Sequence, residues 1–263
     1  MSIEEQFQGA VALRDSGQLE EAAHAFRALV QVASEPERKA ILMLGEAGCL
    51  GRLGRLEEAL RVLREGKRLL PPQSPLMLDF DLAEACMPTG VGRYEEAFKK
   101  LNKALEKNAE SLRHPDRRYL YEEHTYRKAL LLVELARYAE AAPLLEEALG
   151  FDLPPAEKGD TCHRLAVCLY HQGEGERAKE LFEKALALGG KDCHPMRSRF
   201  SLGVIHLNAG AYARALQEFE TVLPQADEAK IPRKTVYKWL AASCRGLGLE
   251  DDARKYEVLM NTM

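Results

Sequence analysis

Apolar and small residues recur along this chain at a fixed spacing. An alanine returns at Ala22, Ala59, Ala97, Ala141, Ala178, Ala215 and Ala253, at intervals of 37, 38, 44, 37, 37 and 38 residues. Four residues after it stand Phe26, Leu63, Leu101, Leu145, Phe182 and Phe219, with Glu257 in the last copy. Seven after it stand Leu29, Gly66, Ala104, Ala148, Ala185, Val222 and Met260. Steps of four and three hold one face of a helix. Twelve before it stand Ala10, Ala47, Ala85, Ala129, Ala166, Gly203 and Ala241, all small enough to let a second helix approach closely. Five before it stand Gly17, Gly54, Gly92, Ala136, Gly173, Gly210 and Gly248. Six of these seven are glycine, the residue that ends a helix in the left-handed conformation at least cost. The pattern predicts two antiparallel helices and a tight turn, repeated seven times.

Helix starts are marked too. Pro36, Pro75, Pro115, Pro155, Pro195 and Pro232 stand where first helices open, and proline suits a first turn because its missing N–H is not needed there. Ser2 with Glu5 and Ser34 with Glu37 both fit a capping box. The units fall at about 3–33, 35–72, 75–110, 115–152, 155–190, 195–228 and 232–263. The expected fold is all-α with about 14 helices, running unbroken through one domain of residues 1–263.

These residues resemble the tetratricopeptide repeat, a helix–turn–helix unit of about 34 residues. The small residue of the first helix, the glycine of the turn, the alanine of the second helix and the large apolar residue one turn later all have counterparts above. The family's aromatic before that alanine appears as Tyr94, Tyr138 and Tyr212, with Leu19 and Leu56 in the first two units. The likeness runs from Phe7 to Met260, with a period like that of the long-repeat branch. The family's early tryptophan is absent from its usual place; the one tryptophan is Trp239.

The resemblance implies a right-handed superhelical solenoid whose first helices line a concave groove. It places in that groove the residues 15 and 11 before the marker alanine. They are Phe7 and Val11, Leu44 and Gly48, Leu82 and Cys86, Tyr126 and Leu130, His163 and Val167, Phe200 and Val204, and Lys238 and Ala242. One turn earlier come Glu4, Asp79, Glu123 and Asp160, then Arg197. The stripe suits a partner segment with apolar anchors and some basic residues; the other reading of the same positions is packing between repeats. Chaperone-adaptor members of the family clamp a terminal carboxylate with lysine, asparagine and arginine from three consecutive units. These groove positions are mostly Phe, Leu, Val and Tyr, so a chaperone tail is not the expected ligand.

Two units are irregular. In the third, Pro88, Thr89, Gly90 and Gly92 interrupt the first helix. Proline there removes a helical hydrogen bond, which reads either as an early helix end with a longer turn or as a kink that widens the groove. The fourth is preceded by the 44-residue interval, whose extra length lies between Asn108 and Glu122. A helix is expected from about Pro115 to Leu135, carrying Tyr119, Tyr121 and Tyr126. A two-helix unit has no need of the extra residues. The tyrosines therefore read as a contact patch for a partner or as packing on neighbouring helices. Pro143 and Pro224 are expected to bend or end their helices.

Composition narrows the function. The chain has 263 residues, 46% of them hydrophobic, and a net charge of −4 without charged blocks. That balance disfavours nucleic acid as a partner. No apolar stretch reaches the 18 residues of a membrane span, and the amino terminus reads as a first helix rather than a signal peptide. Six cysteines without an export signal read as reduced, in a cytoplasmic protein. Cys162–His163 and Cys193–His194 could approach each other as zinc ligands, but neighbours on a helix point about 100° apart. No nucleophile–base spacing and no phosphate loop is present, so neither catalysis, a cofactor nor a metal is expected. The expectation is an interaction scaffold or adaptor that binds another protein. A peptide- or ligand-responsive sensor and a structural subunit are the alternatives. Glu257, among Asp251, Asp252, Arg254 and Lys255, reads as a polar cap and favours a monomer.

Overall fold

The computed structural model describes residues 2–190 and 195–262, with Gly90 by its backbone alone. The chain divides into two compact units, residues 1–135 and 136–263. In the first run α1 Ile3–Asp15, α2 Leu19–Val32, α3 Pro36–Arg52, α4 Leu56–Arg68, α5 Leu76–Cys86, α6 Tyr94–Lys107, α7 Ala109–Leu112 and α8 Arg118–Glu134. In the second run α9 Tyr138–Leu149, α10 Pro155–His171, α11 Gly175–Leu188, α12 Pro195–Asn208, α13 Tyr212–Val222, α14 Arg233–Gly246 and α15 Glu250–Asn261. Neither unit has a strand among the described residues. Fourteen of the helices are the expected ones, and α7 is an extra turn supplied by the long interval.

Local chemistry sets the helix ends. Ser2 closes its capping box: its Oγ accepts from the Glu5 N–H at 3.1 Å, and its own N–H donates to Glu5 Oε2 at 2.7 Å. The second box does not form. Pro36 takes the first helical position of α3, which makes Glu35 the cap and leaves Ser34 one residue too early. Pro155 and Pro195 likewise open α10 and α12, and Pro75 and Pro232 cap α5 and α14. Pro115 opens a 3-10 turn, Pro115–Arg117, that leads into α8. All six turn glycines have positive φ, between 74° and 85°. Bonds such as Gln18 N–H to Leu13 C=O (2.9 Å) and Glu174 N–H to Leu169 C=O (2.9 Å) then close the helix ends.

The marker alanines are the axis of the packing. Each is at most 1% exposed, and the small residues twelve positions earlier are buried as well. The large residues one turn on, Phe26, Leu63, Leu101, Leu145, Phe182 and Phe219, are equally enclosed. Each such side chain contributes about 1.5–3 kcal/mol of burial. A Cβ on Gly45 would stand 2.8 Å from the Phe26 ring, so α3 approaches α2 only because that position has no side chain.

The irregular segments resolve. α5 ends at Cys86 and a 3-10 turn, Met87–Val91, completes its path to Gly92; this is the early end. The long interval has a packing role. Leu112 of α7 and Leu120 of α8 join Leu78, Leu82, Ala85, Leu101 and Leu131 in one apolar cluster. Pro143 lies inside α9 without ending it, and Pro224 falls in the 3-10 turn Leu223–Gln225 that follows α13. No helix of the described residues is long and apolar enough to cross a membrane.

Candidate functional site

Register on the marker alanine decides which side chains each first helix offers. The residue 17 before it points into the seam with the preceding pair: Leu42, Phe80, Thr161, Ser198 and Val236 are all buried, and so is His124. The residues 15 and 11 before it lie beside that seam. Most are half-buried.

In the first unit three of these positions, Leu44, Gly48 and Cys86, border a concavity of about 540 Å³. Leu44 and Gly48 of α3, Ala83 and Cys86 of α5, and Met87 give it apolar walls. Arg14 of α1, Arg52, Asp79, and Glu123 and Arg127 of α8 give it charge. Arg127 donates to Glu123 Oε1 from Nε at 3.1 Å and from a terminal nitrogen at 2.6 Å. Arg52 donates to the Arg14 carbonyl at 3.1 Å, and Thr89 to the Cys86 carbonyl at 2.7 Å. Burial pushes the Asp79 carboxyl above its ordinary range.

Cys86 and His124 meet in the wall, Sγ to Nδ1 at 4.0 Å. Burial raises the thiol and lowers the imidazole to about 4. Both are therefore neutral near pH 7, and the cysteine lacks the thiolate that nucleophilic chemistry needs.

A second concavity, of about 640 Å³, opens beside it. Its walls include Leu76, Glu110, His114, Asp116, Arg117 and Tyr119. Asp79 and Leu120 border both concavities. Tyr119 is 60% exposed and lines the second; Tyr121 is exposed and lines neither.

The remaining expected residues fall as follows. Leu82 is wholly enclosed, because Leu112 and Leu120 from the long interval join the cluster around it. Phe7 and Val11 pack partly on the α1–α2 core, the Phe7 ring edge-on to Phe26 at 6.1 Å. Tyr126 and Leu130 are half-buried outside the concavity.

In the second unit, His163 is turned into the seam. Its Nδ1 lies 2.8 Å from Ser198 Oγ and its ring meets Phe182 edge-on. Val167 is half-buried. Phe200 and Val204 pack partly on the cluster around Phe219. Lys238 is exposed, with Nζ 5.2 Å above the Trp239 ring. Cys193 and His194 lie outside the described residues, so the suggested zinc quartet cannot be assembled from described side chains. The five described cysteines are all free and buried. Sequence reasoning missed Arg52, His124 and Arg127; reading the positions 17 and 14 before the alanine as a set of columns would have found the last two.

Comparisons with known proteins agree with the repeat architecture. The tetratricopeptide repeat profile matches residues 7–74 and 164–230, just over half of the chain. Among curated proteins, the photosystem I assembly protein Ycf3 of Synechococcus sp. (strain CC9902) is 38% identical over 61 residues. That segment is 23% of this chain and 35% of the relative, so the chain spans about a third of the length of the curated relative it matches. Among solved structures, the apo form of RapI aligns with a TM-score of 0.73 at 14% identity, covering 97% of this chain and 74% of that one. PilF of Pseudomonas aeruginosa aligns at 0.64 and 18% identity, covering 87% and 93%. MamA of Desulfovibrio magneticus RS-1 aligns at 0.55 and 21% identity, covering 72% and 96%. At these identities the structural likenesses show the fold alone.

Proposed function

The chain belongs to the tetratricopeptide repeat family, and from that premise we propose that it is a scaffold or adaptor that holds a segment of a partner protein against its first helices. The observation that supports this most is the concavity of the first unit. Three successive first helices, α3, α5 and α8, contribute to it, and Leu44, Gly48 and Cys86 stand at the register expected of the groove. Its apolar floor with a charged rim is the composition of a site that buries anchors and orients them by charge. The proposed role is one of binding rather than catalysis. In this reading the protein acts as a monomer in the cytoplasm.

The segment shared with Ycf3 favours an assembly task in which the partner is another protein. Photosystem I itself is not carried over. One polar residue on each terminal helix supports the monomer. Glu5 stands where inner first helices carry Leu42 or Phe80, and Glu257 where inner second helices carry Phe or Leu.

Site-specific photocrosslinking tests the reading. A benzophenone side chain at Leu44 should give a discrete cross-linked protein, and the same group at exposed Glu57 on the outer face of α4 should not. No product at Leu44, or the same products at both positions, overturns it.

A further inference from the structure

The charged rim of the first unit's concavity is not balanced within itself. Arg127 is paired with Glu123, and Arg14 Nε donates to Asp15 at 2.9 Å. Asp79 is different. Its carboxylate accepts from its own backbone N–H, and among the described residues no side chain donates to it. Arg117 and Glu123 act on it only through space, with opposite sign. A half-buried carboxylate without a donor retains a desolvation cost that an incoming N–H donor with positive charge offsets. Its place is as informative as its state. With Leu120 it forms the wall common to both concavities, so a chain that occupies both must pass it. On one side it would meet Leu44 and Met87, and on the other Leu76 and Tyr119.

We propose that Asp79 seats a lysine or arginine side chain of an extended segment of a partner protein, which runs from the α3–α5–α8 concavity past Leu120 into the one beside Tyr119. This rests on the protein-binding role proposed above and adds the chemistry of its central anchor. Apolar walls on both sides of Asp79 match the neighbours of a basic residue in a peptide better than they match a free polyamine.

The test uses the full chain and three fluorescent octapeptide mixtures, acetylated and amidated at their ends. They differ only in a central position fixed as arginine, norleucine or glutamate. Fluorescence polarisation should show the arginine set binding roughly tenfold tighter than the norleucine set, the size of one charge-assisted hydrogen bond. The glutamate set should bind weakest. Asp79→Asn should bring the arginine set down to the norleucine level; Asp79→Ser replaces it if the asparagine variant does not fold. Leu44→Glu should weaken every set. Equal binding of the arginine and norleucine sets, or a preference that survives Asp79→Asn, overturns the anchor while leaving the groove in place if Leu44→Glu still acts. Absence of binding by all three sets overturns the anchor and the groove together.

Discussion

The imidazole Nδ1 of His163 stands 2.8 Å from the Ser198 hydroxyl, bridging α10 and α12. Ser198 occupies the column that Leu42 and Phe80 fill in the first unit, and His124 occupies it on α8. Each unit therefore carries a buried histidine on a seam between repeats. Burial lowers both to about 4, against an ordinary value near 6.5. The unfolded chain binds a proton at these sites where the folded one does not, so stability is full above pH 6.5 and falls as pH drops toward 4. At pH 5 each histidine should cost roughly 2 kcal/mol. Urea unfolding at pH 7.5 and pH 5.0 measures this. A double His124→Asn, His163→Gln variant should show a markedly smaller drop between the two.

How much of this was legible follows from what each column depends on. The marker alanines and turn glycines answer to contacts within one helix pair, so their register alone predicted the burial of Ala22 through Ala253 and the left-handed turns. Groove exposure depends on the neighbouring pair and could not be read that way. Leu82 disappears because a segment 30 residues away delivers Leu112 over it. His163 turns inward because the next helix offers a small hydroxyl at Ser198. Asp79 was visible as a charge on the groove side, but its lack of a donor is a property of three packed helices and of no sequence window.

Ala136 tests the glycine column. It stands at φ 55°, the left-handed region, where the other six units have glycine. An alanine there bears about 1–2 kcal/mol of strain, partly offset because glycine would gain freedom in the unfolded chain. Ala136→Gly should raise stability by roughly 0.5–1 kcal/mol. Gly173→Ala, at φ 85°, should lower it by a similar amount. Thermal unfolding of both variants should shift Tm in opposite directions.

Arg27 and Glu46 form an ion pair between α2 and α3. Arg27 Nε donates to Glu46 Oε1 at 2.8 Å, and the Glu46 side chain is 5% exposed against 43% for Arg27. Removing the arginine leaves a buried carboxylate with its charge uncompensated. Arg27→Ala should cost about 1–3 kcal/mol, reduced from the fully buried case because the guanidinium is half in water. Arg55→Ala breaks the exposed pairs with Glu58, 2.6 Å apart, and Glu20, 3.1 Å apart, and should cost less, because water screens these charges. Chemical denaturation of the two variants should rank them in that order.

Gly159 near the start of α10 is buried against the end of α11. A Cβ built on it would lie 1.6 Å from the Gly189 carbonyl oxygen and 2.8 Å from the carbonyl carbon. Gly45 faces a phenyl ring at 2.8 Å, which can rotate or shift by tenths of an ångström. At Gly159 the obstacle is backbone, at a residue that itself holds φ 72°. Alanine inside a helix ordinarily gains up to about 1 kcal/mol over glycine. Here the gain is outweighed, since relieving the overlap requires α10 and the end of α11 to separate, at about 1–3 kcal/mol or more. Gly159→Ala should therefore be net destabilising, and Gly175→Ala, where a Cβ meets open space, should be neutral or stabilising. Hydrogen exchange localises the effect: Gly159→Ala should accelerate exchange in α10 and α11 and leave the first unit, residues 1–135, unchanged. Equal stability of the two alanine variants would refute the close approach of α10 to Gly189.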